Sequence, residues 1–388
     1  MTFFITAVTF LFPVIMLPIN LCLFTVQRRH GTLYSFLIAF GMAAIAFNFA
    51  PFDYQNTDIL RHFDRLRSIK NVSFQQALVN DAYSSLMGYY LILKVFSMVE
   101  NPSLLPAFIT FLGYFVCLYV ISQMDREKNS AIRFITLFLF MSCTSFLGFC
   151  SGIRQYLIFS CFSFIFYSET VQKKNKVLPW VMYLLLITIH TTMIIILILR
   201  LICGLLCKKE KLSLLGLLVF FWSFIQSFAV RFIANNFNNK YTDKILEMYG
   251  YYENHDSNMV VPNFLWRTVL LIFCTIVVLT LINCKDGISR SLKKYLCFCM
   301  ILCAFTLGSI MQYDIFVRFC MLSFIMILPL LPTYFSKLNK TTGLFMLGAC
   351  TLGGVTVLAY NISQYLSFHW NGAFDIITTN IFTFIFSL

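Results

Sequence analysis

Arg154, Arg231, Arg267 and Arg318 each stand near the end of a long apolar run, and His190 stands where another such run divides. A guanidinium is planar, stays charged when partly buried, and presents a fork that matches phosphate. Several of them around one cavity would hold a membrane-anchored diphosphate. The competing reading is that each arginine only snorkels to the headgroups and anchors its helix. Ionisable groups at membrane depth cost several kcal/mol and usually face water or an anion. Two polar stretches supply other chemistry. Residues 51–81 carry Asp53, Asp58, Asp64 and Asp81, and residues 235–263 are rich in Tyr, Asn and acids. Carboxylates accept hydrogen bonds or a proton from sugar hydroxyls, and tyrosine faces stack on sugar rings. His190 in His190-Thr191-Thr192 is either a packed histidine or a proton acceptor.

The elements that must position these groups are apolar spans. Of 388 residues, 59% are hydrophobic and only 12% charged, against roughly 25% charged in soluble domains. Runs of about 20 apolar residues, enough to cross a bilayer, recur from end to end. The expected fold is all-α and polytopic, a single membrane domain over 1–388 with about 11–14 membrane segments. The net charge of +13 lies largely in short basic clusters that mark cytoplasmic ends, so it reads as topology and not as nucleic-acid binding. Fourteen cysteines are scattered through apolar runs without metal spacing and read as buried free thiols. The first run, 3–24, reads as a retained span.

Arg28, Arg29 and His30 place the end of the first span in the cytoplasm, so 51–81 and 235–263 are expected to be outer loops. Arg154 opens the run that follows Ser151-Gly152-Ile153-Arg154-Gln155-Tyr156 and closes on Lys173, Lys174 and Lys176. Simple alternation then fails between 82 and 149. Asn101-Pro102 and Pro106 make 82–99 the candidate re-entrant segment, tolerated only where protein or a cavity surrounds it. The inverse topology, with 51–81 in the cytoplasm, is the alternative. Residues 177–207 are basic at both ends, which one straight crossing cannot satisfy; two short arms turning near His190 can. There is no Walker A motif, GxSxG elbow or HExxH motif.

The chain resembles the EpsG family of polysaccharide polymerases, related to the Wzy-type polymerases of O-antigen and capsule. Four places carry the resemblance: Phe52-Asp53-Tyr54 with Asp58, Gly152-Ile153-Arg154-Gln155, His190, and Arg318. It implies a glycosyltransferase-C-like helical bundle in the bacterial cytoplasmic membrane. The implied reaction transfers a growing glycan from undecaprenyl diphosphate to a lipid-linked repeat unit on the outer face, with no cofactor or metal. Arg154, Arg318, Arg267 and Gln155 would hold the diphosphate, and His190, Asp53 or Asp58 would take the acceptor proton. Partners would be the lipid-linked oligosaccharide, membrane lipid, a flippase and a chain-length regulator. A lipid-linked oligosaccharide flippase or a membrane acyltransferase is the alternative function.

The topology has a direct check. A cysteine at Ser73 should react with an impermeant thiol reagent in intact cells, and protection from outside would invert the assignment.

Overall fold

In hydrocarbon every backbone N–H and C=O needs a partner within the protein, and a helix supplies it inside one segment. The computed structural model describes residues 2–50, 58–73, 75–76, 86–99, 101–124, 129–173, 177–206, 216–223, 225, 232, 257–284, 289–366 and 370–387. Among these there is no strand beyond an isolated bridge between Phe49 and Trp370. Six described helices are long and apolar enough to cross a bilayer: Arg28–Phe47, Leu104–Met124, Phe264–Asn283, Arg290–Gly308, Tyr313–Phe335 and Lys340–Leu366. The protein is an all-α polytopic membrane protein.

Several expected spans are divided, each for a local reason. Residues 3–24 form Thr2–Leu11 and Pro13–Val26, because Pro13 has no N–H to continue the ladder. Residues 131–149 divide after Cys143, where Thr144 is extended and the Ser145 side chain accepts the Gly148 N–H to start Phe146–Ser151. Residues 177–207 form Val177–Ile187 and Thr192–Leu206, with the break at Thr188–Thr191. The helix Ser257–Asn283 begins by Ser257, so residues 257–263, expected in the second polar loop, are its first turns. Residues 233–256 of that loop, and Asp53 in the first, lie outside the described residues.

Contacts divide the chain into two compact units, Met1–Ile196 with Pro329–Leu388, and Leu197–Leu328. In the first, Gly31–Phe47 packs along Leu104–Met124, which also carries Ile153–Thr170. Ser130–Cys143 packs on Lys340–Leu366. The latter leaves Leu344, Phe345, Leu352 and Leu366 exposed, a surface suited to acyl chains. In the second unit Ser257–Asn283, Arg290–Gly308 and Tyr313–Ile327 pack on one another. There Tyr295 Oη donates to Met326 O at 2.8 Å.

One element of the first unit departs from this apolar pattern. The helix Asp58–Ile69 buries Ile59, His62, Leu66 and Ile69, which recur at helical spacing, and exposes Asp58, Arg61, Asp64 and Arg67. It packs on the short helix Met87–Ser97. Those 11 residues reach only about 16 Å, short of a hydrocarbon core of roughly 30 Å. Lys94, the one charge in that apolar helix, donates to Ile69 O, Lys70 O and Val72 O at 3.2, 2.9 and 3.0 Å. It thereby satisfies carbonyls at the C-terminal end of Asp58–Ile69 that have no intrahelical partner. At the other end of the short helix, the Gly88 and Tyr89 N–H groups donate to Thr188 O at 3.0 and 3.3 Å. A Cβ on Gly88 would lie 2.3 Å from Thr188 Oγ1, so this close approach requires glycine.

Lys94→Met keeps the length of the side chain and removes the three carbonyl contacts. Hydrogen exchange over residues 58–69 should accelerate, reflecting a loss of about 1–3 kcal/mol in local stability. Unchanged exchange would remove Lys94 from this role.

Candidate functional site

Arg154 is positioned by the turn before it. Gly152 joins Phe146–Ser151 to Ile153–Thr170, and its carbonyl accepts the Gln155 and Tyr156 N–H groups at 3.1 Å each. A Cβ there would lie 3.0 Å from Gly148 O and 3.1 Å from the Tyr156 ring. Ser151 holds the neighbouring element, because its Oγ accepts the Ile59 N–H at 3.2 Å. The first turn of the Arg154 helix and the amphipathic helix Asp58–Ile69 are thus tied at one point.

These elements converge on Tyr89. The Arg154 Cζ lies 4.9 Å from the centre of the Tyr89 ring, and the Arg65 Cζ 5.9 Å from it. Cation–π contacts at such distances contribute about 0.5–2 kcal/mol. The Tyr89 hydroxyl is hydrogen-bonded to His62 Nδ1, and the two rings meet edge to face with centroids 5.6 Å apart. His62 is buried and Arg154 and Arg65 are half-buried. Burial, followed by the charges of Arg154, Arg65 and Arg61, pushes the His62 imidazole down to about 3. It is therefore neutral near pH 7. With Tyr89 donating to Nδ1, the ring proton sits on Nε2. The cluster presents guanidinium and N–H donors and a positive field, which is chemistry for an anion.

The second unit holds another arginine pair. Phe264 packs on Phe316 with ring centroids 5.1 Å apart, which brings the first turns of two spans together. Arg318 donates through Nε to Asp314 Oδ1 and pairs through Nη2 with Asp314 Oδ2, both at 2.8 Å. Its fork is closed on a carboxylate, so its expected role as a diphosphate clamp requires that pair to open first. Arg267 is only 9% exposed, its Cζ lies 4.9 Å from the centre of the Trp266 ring, and its Nε has no hydrogen-bond partner among the described residues. Burying an ion costs several kcal/mol, more than one aromatic face returns.

The remaining expected site residues divide. Asp58 is paired with Arg61 at 3.3 Å, with 61% of its side chain exposed. Gln155 is half-buried on the first turn after Gly152. His190 sits in the break that touches Gly88 and Tyr89 through Thr188, and its Nδ1 accepts the Thr192 N–H at 3.1 Å. That bond leaves the proton on Nε2, an arrangement suited to orienting an oxygen more than to removing a proton. Asp53 and Arg231 lie outside the described residues.

Sequence reasoning missed His62 and Tyr89. The signal for His62 was its place in Ile59-His62-Leu66-Ile69, one face of a helix with a titratable group where apolar residues belong. Among the described residues no three His, Cys, Asp or Glu side chains group as metal ligands. The described cysteines are free thiols, most of them buried. No family model, curated protein or solved structure matches the chain.

His62 makes the cluster pH-sensitive in a defined direction. Its pKa in the fold, about 3, lies below the ordinary 6.5. An opened helix takes up the proton first, and stability falls as pH drops from about 6.5 towards about 3. Hydrogen exchange over 58–69, corrected for its intrinsic rate, should rise between about pH 7 and about pH 5. His62→Gln should flatten that response; an equal response in both proteins would exclude His62 as its source.

Proposed function

We propose that the protein is a membrane glycosyltransferase that polymerises undecaprenyl-diphosphate-linked oligosaccharide repeat units at the outer face of a bacterial cytoplasmic membrane. The observation that carries the reading is the Arg154 cluster. A guanidinium on the first turn of a helix that is otherwise largely buried is stacked on Tyr89, with Arg65 beside it and a neutral His62 behind.

The chemistry asks for such a cluster. The bond between the anomeric carbon and the diphosphate oxygen breaks, and the diphosphate leaves with its electron pair. A new bond joins the anomeric carbon to an acceptor hydroxyl oxygen, whose proton passes to a base. The leaving group is already a good one, so the main task is to stabilise its growing negative charge and orient the acceptor. Arg154 is the clamp, because its fork can take two oxygens while its face rests on Tyr89. Arg65 adds a second charge. His62 holds the Tyr89 hydroxyl and, being neutral, adds no competing proton equilibrium near pH 7. His190 orients an oxygen through Nε2–H. Asp53 and Asp58 are the carboxylates available as base, and Asp58 must leave Arg61 to serve. The lipid tails would run along the exposed apolar helices, and a flippase and a chain-length regulator would work alongside.

Arg154→Lys tests the clamp, since it keeps the charge and loses the fork. Long polymer per unit of membrane-inserted protein should fall by roughly 10²-fold while single lipid-linked units accumulate. Arg67→Lys, on an exposed pair with Asp64, should change little. Equal glycan chain lengths in the two variants would refute the assignment, and loss of all surface repeats would point to export.

A further inference from the structure

Arg267 poses a problem that its own unit does not solve. The guanidinium is more than nine-tenths buried in the first turn of the apolar stretch Phe264–Asn283. Arginine cannot discharge to escape burial as histidine or lysine can. Asp314, the carboxylate beside Tyr313 at the start of the neighbouring span, is held by both branches of Arg318 at 2.8 Å. Two guanidiniums and one carboxylate thus leave an excess positive charge among the described residues of this cluster. Trp266 covers the Arg267 face, but stacking leaves the in-plane N–H donors unused, and Nε has no hydrogen-bond partner among the described residues. An aromatic face offsets only a small part of what burying an ion costs. Tyr313 and Cys320 both lie within electrostatic reach of Arg267, so a hydroxyl donor stands on the same side.

We infer that Arg267 is the anchor of an anion seat in the 197–328 unit, and that the seat takes a phosphate oxyanion in the plane of the guanidinium, with the Tyr313 hydroxyl as a further donor. A planar fork with free edge donors matches two phosphate oxygens, whereas a single halide would use one direction of it. The position, one turn inside an apolar span, fits a phosphate carried on a lipid, and a free phosphate or diphosphate shares the same recognition chemistry. The seat stands on burial and geometry within its unit and does not depend on the polymerase reading of Arg154.

Trp266 is a local reporter. Purified protein in neutral detergent is titrated with farnesyl diphosphate, with inorganic pyrophosphate and with farnesol, and Trp266→Phe is titrated in parallel to isolate the Trp266 emission. Farnesyl diphosphate should change that emission saturably and farnesol should not. An equal response to pyrophosphate assigns the seat to the phosphate alone, and a response to farnesyl diphosphate only assigns it to a lipid-borne group. Arg267→Lys should weaken the apparent affinity by roughly tenfold, and Arg267→Met should abolish the response. Thermal unfolding supplies the second readout. Without ligand, Arg267→Met should unfold at a higher temperature than wild type, because an uncompensated buried charge has been removed; with ligand only wild type should gain. An unresponsive Trp266 in wild type, or a ligand-free Arg267→Met that unfolds earlier than wild type, would overturn the seat and leave Arg267 a packing residue. Arg154→Lys should leave the Trp266 titration unchanged. Loss of polymer with a normal titration, or the reverse, separates the two readings.

Discussion

The amphipathic helix Asp58–Ile69 is held at both ends, and the candidate site depends on that. Ser151 accepts its first free amide and Lys94 caps its last carbonyls. Helix ends carry unsatisfied groups that cost free energy when removed from water, and here each end is satisfied by a side chain from an element that also builds the site. Ser151 stands three residues before Arg154, and Lys94 lies on the helix that carries Tyr89. The contacts that dock the polar helix therefore also set the registers of Arg154, Tyr89 and His62. A purely apolar docking face would permit sliding; hydrogen bonds at both ends do not.

Buried charge is managed in three different ways. His62 gives up its proton, since burial and three neighbouring guanidiniums make the neutral ring the stable form. Arg133, 5% exposed, donates through Nη2 to Phe24 O at 2.8 Å, where the helix Pro13–Val26 leaves carbonyls without partners. A helix C-terminus carries a partial negative charge, so that contact is both hydrogen bond and charge compensation. Arg318 takes a carboxylate one turn away. Arg267 has only an aromatic face. The contrast between Arg133 and Arg267 separates a structural arginine, whose partner is part of the fold, from one whose partner must come from outside it.

The amino-acid sequence by itself determined the class. Apolar runs of spanning length admit only helices in lipid, and the low charge content left no alternative to a polytopic bundle. It also singled out Gly152-Ile153-Arg154-Gln155, where a glycine turn delivers a guanidinium to the start of a helix, and the break at His190. Tertiary structure decided what those residues touch. Nothing in local spacing could pair His62 with Tyr89, 27 positions apart, or close Arg318 on Asp314 in preference to a ligand, because both depend on how helices pack and which rotamers the packing leaves. The same holds for Lys94, which reads as an isolated charge in an apolar segment until the helix it caps lies beside it. Periodicity reports which face of a helix is apolar; only the packed fold says which charges on the remaining faces find partners and which are left to bind something else.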